Sequence, residues 1–311
     1  MDERRLGVTD LVVSRLGLGT VELGMAYGIG LPPPPDDREC IALLRQAQEL
    51  GITFIDTAAA YGRSEELVGR AFEGTADRPV IATKANTRLA GAAQPLRGAA
   101  LRDQLHTSVA TSLRQLRLDS LDLLQFHNLE PEQMDDDLLD CMDELGRQGM
   151  VRHWGASTYG EQTPRAVLAH GRGLSTLQLA FSLLDRRLEQ DLLPQCAASG
   201  TGVIIRSAFL KGVLTPRYAD LPGHLEPLRQ VAAQADRLAG EAGMPLTEMA
   251  MRYAAHCPFA HVVLCGTGSA DELKANVRAV QAGPLPADLQ TAIRQLHVAD
   301  EELLNPSTWG F

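Results

Sequence analysis

Residues 52–61, Ile-Thr-Phe-Ile-Asp-Thr-Ala-Ala-Ala-Tyr, constrain the fold more than any other segment. Ile52, Thr53, Phe54 and Ile55 are β-branched or aromatic, the composition of a parallel strand buried on both faces. Asp56 ends that run. A carboxylate there either caps the next turn or joins an ion pair in a cavity, because an unpartnered buried charge is costly. Tyr61 follows on a loop that continues through Gly62 into a helix predicted from Ser64. A carboxylate at a strand end and a phenol on the next loop match the placement of reactive groups on the C-terminal face of a β/α barrel. Taken alone, the segment is explained equally well by a capping Asp56 and a packing Tyr61.

The rest of the chain repeats strand, loop and helix. Strands are predicted at Leu16–Thr20, Ile52–Ile55, Val80–Lys84, Leu121–His127, Val151–Ser157, Leu174–Ala180, Gly202–Ser207 and Val262–Thr267. Amphipathic stretches between them predict helices over Arg38–Leu50, Ser64–Phe72, Leu101–Leu116, Asp136–Arg147, Pro164–His170 and Leu192–Ala198, with further helices near 225–242 and 246–257. Eight strands alternating with helices make an α/β chain of the (β/α)₈ or TIM-barrel class. Its 311 residues suit one barrel domain over 1–311, since such barrels take roughly 250 residues before insertions. An N-terminal hairpin over Leu6–Arg15, turning at Thr9-Asp10, and extra C-terminal helices over Asp271–Gln281 and Ala287–Leu296 complete the prediction. The segment from Gly24 to Asp37 holds the run Pro32–Pro35, cannot be helical, and is expected over the barrel top.

A net charge of −10 argues against nucleic-acid and anionic-membrane partners, whose interfaces need clustered Lys and Arg, and leaves a small molecule as the expected partner. The five cysteines form no CxxC pair and read as buried thiols in a reducing compartment. The N-terminus Met-Asp-Glu-Arg-Arg carries no apolar targeting segment, and the expected location is the cytoplasm. His106, His153, His170, His224, His256 and His261 show no ligand spacing, so no metal is expected. Gly17-Leu-Gly19 lacks the following helix of a dinucleotide fingerprint, and no nucleophile elbow occurs.

Asp56 and Tyr61 follow the second strand, Lys84 ends the third and His127 the fourth. On adjacent barrel strands these side chains converge on one mouth, which independent caps would not do. An ammonium beside a phenol favours the phenolate, and a carboxylate behind the ammonium keeps it charged and in place. A neutral imidazole can orient the same oxygen. This equipment protonates a carbonyl oxygen while something else attacks the carbon. No side chain supplies a hydride; a nicotinamide cofactor would.

The run Phe54-Ile-Asp-Thr-Ala-Ala-Ala-Tyr-Gly62 with Ser64-Glu65, then Ala82-Thr-Lys84, then Leu124-Gln-Phe-His127, resembles the aldo-keto reductase superfamily over nearly the whole chain. The resemblance implies a barrel that binds extended NADPH or NADH, with Asp56, Tyr61, Lys84 and His127 as catalytic tetrad and Tyr61 as general acid in reduction. It further implies cofactor contacts at Gly19 and Thr20, at Ser157 and Gln178 for the carboxamide, at Arg206 and Ser207, and at Gly266, Thr267, Gly268, Ser269, Leu273 and Asn276 towards adenosine. Three positions depart from the pattern. Thr158 stands where an asparagine is usual, and Arg206 where an aromatic ring often stacks on nicotinamide. Glu272 stands where NADPH-preferring relatives commonly carry arginine; a carboxylate there would repel a 2′-phosphate and accept from a free 2′-hydroxyl, favouring NADH. Glu272 facing water on the first turn of its helix is the plain alternative.

Met25, Tyr27, Phe126 or Trp154, Phe209 and Trp309 are expected to line the substrate pocket, unless they pack in the core. The stretch Gly19–Gly28 resembles reductases of bacterial sugar modification and points to an aldehyde or ketone that is sugar-like. Two rival functions remain open: a barrel aldolase or lyase using Lys84 as Schiff-base amine, and a nucleotide-binding redox sensor.

Overall fold

Strands buried on both faces need an apolar layer on each side, and this chain meets that need by closing its sheet. The computed structural model describes residues 1–89, 94–170 and 172–310. The barrel strands are β3 (Leu16–Gly19), β4 (Phe54–Asp56), β5 (Val80–Ala85), β6 (Leu121–His127), β7 (Val151–Ser157), β8 (Leu174–Ala180), β9 (Gly202–Arg206) and β10 (Val262–Gly266). They pair in parallel in sequence order, and β10 closes against β3. The helices around them include α1 (Val21–Gly24), α2 (Asp37–Glu49), α3 (Ser64–Phe72), α4 (Gly98–Leu116) and α5 (Asp136–Arg147). The series continues with α6 (Gln162–His170), α7 (Leu192–Ser199), α8 (Glu226–Glu241), α9 (Leu246–Ala255), α10 (Ala270–Gln281) and α11 (Ala287–Arg294). Parts of the loop predicted after Lys84, residues 90–93, and Phe311 lie outside the described residues. Among the described residues no helix is long and apolar enough to cross a membrane.

The N-terminal hairpin is present but shifted from its predicted bounds. Its strands are β1 (Glu3–Arg5) and β2 (Val12–Ser14), so the first precedes Leu6. The reason is burial: Leu6 and Leu11 belong to the turn and point into the barrel bottom, joined by the Leu6 N–H donating to the Leu11 carbonyl at 2.8 Å. There they meet Val13, Phe54, Ala82, Leu123, Ile204, Val262 and Leu264 in a core separate from the one between barrel and helices. The proline run is non-helical as expected, although the segment's end residues Gly24 and Asp37 belong to α1 and α2. Asp36, which follows the run, caps α2 by accepting from the Arg38 and Glu39 N–H groups while Glu39 returns a carboxylate to the Asp36 N–H. All five cysteines are buried and free.

The two-residue period of each strand divides the barrel interior into a floor and a mouth. Inward positions run Phe54 then Asp56, Ala82 then Lys84, Leu123 then Gln125 then His127, and Ile204 then Arg206. The lower members seal the bottom with the hairpin. The upper members are polar and face one another.

The loop that carries Tyr61 is fixed by contact between two backbones. A Cβ on Gly24 would lie 1.8 Å from the Tyr61 carbonyl oxygen, and one on Gly62 would lie 2.3 Å from the Gly24 oxygen. Gly62 also has φ of +55°, in the left-handed region. A hydroxyl cluster ties the same loop down: Ser64 Oγ lies 2.6 Å from Thr20 Oγ1 and 2.9 Å from Thr57 Oγ1. Gly62→Ala is therefore expected to lower unfolding free energy by on the order of 2–4 kcal/mol, read from urea denaturation. An unchanged midpoint would mean that the loop relaxes without loss.

Candidate active site

Asp56, Lys84, His127 and Tyr61 meet at the C-terminal mouth. Lys84 is 1 % exposed and Asp56 3 %. The Lys84 ammonium donates to Asp56 Oδ2 at 2.6 Å and to the Thr57 carbonyl at 2.9 Å. Its third donor is left for the Tyr61 side, where the ring centroid lies 4.9 Å from Nζ. Burial acts to strip the charge from Lys84, but the attraction of Asp56 and then of Tyr61 more than offsets it, and the amine is held above its ordinary range. The His127 ring stands edge-on to Tyr61 at 5.9 Å and 85°. Burial, with the nearby charges of Lys84 and Arg206, pushes its imidazole down to about 3, so it is neutral at working pH.

Asp56 is anchored on its other oxygen too. Gln125 Nε2 donates to Oδ1 at 3.0 Å and Gln178 Nε2 at 2.7 Å. Gln125 is fully buried and was not singled out in the sequence; its register two residues before His127, on the same inward face, was the available signal.

A cavity of about 460 Å³ opens over these groups, within the range of cofactor and small-molecule sites. Asp56, Tyr61, His127, Asn128, Ser157, Gln178, Arg206, Ser207, Gly19 and Thr20 line its reactive end, and Gly266, Glu272 and Asn276 its far end. The floor fits a hydrogen-bonding amide. Ser157 Oγ makes only a long 3.4 Å contact to Gln178 Oε1, and the buried Thr158 hydroxyl beside it has no partner among the described residues. Arg206 is held by the Thr158 carbonyl at 2.8 Å and lies 4.1 Å over the Tyr159 ring. Next to it Ser207 has φ of +61°, and Leu210 and Lys211 are also left-handed, a strained loop along the cavity wall. Tyr27 lies opposite, its phenol pushed up to about 12 by burial and by Tyr159 and Tyr61.

At the far end the structure departs from the sequence reading. The resemblance implies that the run Gly266–Ser269 ahead of α10 contacts the adenosine end of a cofactor. Instead, Ser269 N–H donates to Thr267 Oγ1 at 3.0 Å, Thr267 Oγ1 donates to Glu272 at 2.5 Å, and the Gly268 N–H bonds the carboxylate of Glu22. Glu22, on α1, lies on the cavity wall and is pushed up to about 6 by burial and by Glu272. Thr267 is fully buried, and Gly268 packs on Pro35, where a Cβ would fall 2.9 Å from Pro35 Cγ. Neither reaches the cavity.

Of the expected pocket residues, Tyr27 and Phe209 line the cavity and the others do not. Phe126 has the outward register of β6 and stacks on Trp154 at 5.5 Å between barrel and helices. Trp309 is buried in that same core, its indole N–H donating to the Leu303 carbonyl. Met25 is 41 % exposed, outside the wall. Tyr159, Lys211, Arg217 and Glu22 line the cavity without having been expected: Glu22 sits on the short helix α1, Tyr159 just past the end of β7, and Lys211 and Arg217 on the segment after β9.

The family model described as Aldo/keto reductase family matches residues 15–297. Among curated proteins, the aldo-keto reductase YhdN of Bacillus subtilis is 30% identical over 88% of this chain and 87% of its own length. The NADH-specific methylglyoxal reductase of Escherichia coli is 30% identical over 68% of each chain. Among solved structures, the holo form of aldo-keto reductase AKR11C1 from Bacillus halodurans superimposes with a TM-score of 0.77 at 29% identity, covering 95% of this chain and 96% of that one.

The raised value of Glu22 has a consequence for stability. Below pH 4.5 its carboxyl is protonated folded and unfolded alike, and the cost of ionising it in place grows as pH rises from 4.5 through about 6. That cost reaches about 2 kcal/mol at neutral pH. Glu22→Gln, which keeps an acceptor for Gly268, should stabilise the protein by on the order of 1–2 kcal/mol at pH 7.5 and not at pH 4, as measured by chemical denaturation.

Proposed function

The chain belongs to the aldo/keto reductase family, and from that premise we propose that it is an NAD(P)H-dependent oxidoreductase reducing an aldehyde or ketone to the alcohol, or catalysing the reverse. The observation that carries the reading is a charged, buried Lys84 held between Asp56 and Tyr61 at a cavity mouth. Bound nicotinamide would supply the hydride to the carbonyl carbon. Tyr61 gives its phenolic proton to the carbonyl oxygen, and Lys84 stabilises the phenolate charge that develops. Asp56 keeps Lys84 charged and aimed. The neutral His127 hydrogen-bonds the substrate oxygen and orients it. In the reverse direction Tyr61 takes the proton back.

Ser157 and Gln178 suit the carboxamide, and Arg206 and Ser207 the ring and its neighbouring phosphates. Glu22 and Glu272 bear on the choice between the dinucleotides. Two carboxylates at the far end, one already holding the Gly268 amide, oppose a 2′-phosphate and favour NADH. The relative named as NADH-specific supports the same direction. Around the reacting end, Tyr27, Asn128, Tyr159 and Arg206 offer several hydrogen-bonding groups, which suits a hydroxylated, sugar-like carbonyl compound. Schiff-base chemistry at Lys84 is disfavoured, since that role needs a neutral amine and Asp56 keeps this one charged.

Tyr61→Phe should lower turnover of an aldehyde by about 10²- to 10⁴-fold while leaving the dissociation constant of the dinucleotide nearly unchanged. Comparable turnover in that variant would remove Tyr61 from the acid's role. Negligible turnover by the native protein across an aldehyde and ketone panel, with dinucleotide still bound, would favour a sensor instead. For cofactor choice, Glu272→Arg should raise the NADPH to NADH ratio of kcat/KM about tenfold, the worth of one charge-assisted hydrogen bond. An unaltered ratio would make Glu272 a bystander.

A further inference from the structure

The carboxylate of Asp56 can only accept hydrogen bonds, and that fact fixes the direction of every bond behind it. Oδ2 takes the Lys84 ammonium, so the two side chains that reach Oδ1 must both turn their NH₂ groups towards it. Gln125 then presents its Oε1 to the second hydrogen of Gln178 Nε2, at 3.2 Å. Both hydrogens of the Gln178 amide are thereby committed. Its Oε1 is left on the cavity side, with only the long Ser157 contact. Were Gln178 to flip, its oxygen would face Asp56 Oδ1 and Gln125 Oε1 together, three acceptors with no proton among them. Opposite Gln125 on β7 stands Gly155, where a Cβ would clash with Thr176 Oγ1 at 2.1 Å and meet Gln125 Cγ only at the ordinary contact distance of 3.4 Å.

We propose that Gln125 is a positioning residue that locks the Gln178 amide with its carbonyl oxygen towards the cavity, so that the site selects a ligand group donating an N–H there. The identity of that donor as the nicotinamide carboxamide rests on the function proposed above. The lock itself does not, because it is complete without ligand. It also ties carboxamide recognition to the tetrad, since Asp56 is the common acceptor for Lys84, Gln125 and Gln178.

The test has two readouts. In ¹⁵N-labelled protein without dinucleotide, the Gln178 side-chain amide protons should exchange slowly with solvent, and at least about tenfold faster in Gln125→Leu, which removes one acceptor and the brace. In binding, the native protein should prefer NADH to reduced 3-acetylpyridine adenine dinucleotide, whose methyl replaces the NH₂, by about tenfold or more. Gln125→Leu should lose most of that preference. Gln125→Glu is the rescue: while protonated, the new carboxyl donates to Asp56 Oδ1 and accepts from Gln178, so the preference should hold at low pH and fall as the carboxyl ionises. If Gln125→Leu does not fold, the pH dependence of Gln125→Glu decides alone. Slow exchange and full discrimination retained in Gln125→Leu, or a pH-independent preference in Gln125→Glu, would overturn the proposal. Native protein that binds neither dinucleotide, yet shows the exchange effect, would sink the nicotinamide reading and leave the lock standing.

Discussion

The site depends on one interaction, the ion pair of Lys84 and Asp56 inside the barrel. Taking two charges out of water costs several kcal/mol per ion, and their mutual attraction repays this only when the remaining hydrogen-bonding positions are filled. Here they are filled: Thr57 takes a second Lys84 donor, and two amides cover Asp56 Oδ1. The pair thus contributes less to stability than to direction. A charged amine is held facing Tyr61, and a carboxylate that cannot donate dictates how Gln125 and Gln178 must turn. Removing either partner would leave the other charged and buried, so the arrangement behaves as a unit.

That pair can exist because the barrel interior changes character along its axis. Each inward row passes from an apolar residue to a polar one two positions later, and the hairpin residues Leu6, Leu11 and Val13 seal the apolar end. Water is kept from below, and the polar groups have one direction in which to meet a ligand. Phe54 and Asp56 show the economy of the device, since the same three-residue strand supplies floor and carboxylate.

Much of this was legible in the chain. The strands at 121–127, 151–157 and 174–180 and the helices at 64–72 and 136–147 lie where pattern alone puts them, because apolar period and burial agree there. The convergence of Asp56, Tyr61, Lys84 and His127 follows from strand ends on neighbouring strands. Aromatic character misled where parity would have corrected it: Phe126 is outward and Gln125 inward on one strand, and counting back by twos from His127 separates them. The run ahead of α10 is hard to read locally for a different reason. A Gly-Thr-Gly-Ser run before a helix is a local signal of free amides. Whether those amides are free depends on Glu22, which is distant in sequence and near in space only once β3 and β10 pair.

Charge shows the same limit of local and global reading. A chain with net charge −10 nevertheless sets Arg206, Lys211 and Arg217 along one cavity wall, and Glu22 with Glu272 at its far end. Composition speaks to large polyanionic surfaces, where summed charge and Debye screening govern association. Inside a cavity, water is sparse and a few fixed groups outweigh the remainder of the surface. Arg206 is one instance, because its charge, after burial and Lys84, helps to hold His127 neutral while its own position is set by Thr158 and Tyr159. The sign a ligand meets is thus decided by which segments the fold gathers around the cavity, where Arg217 acts on Glu22 against the push of burial and of Glu272.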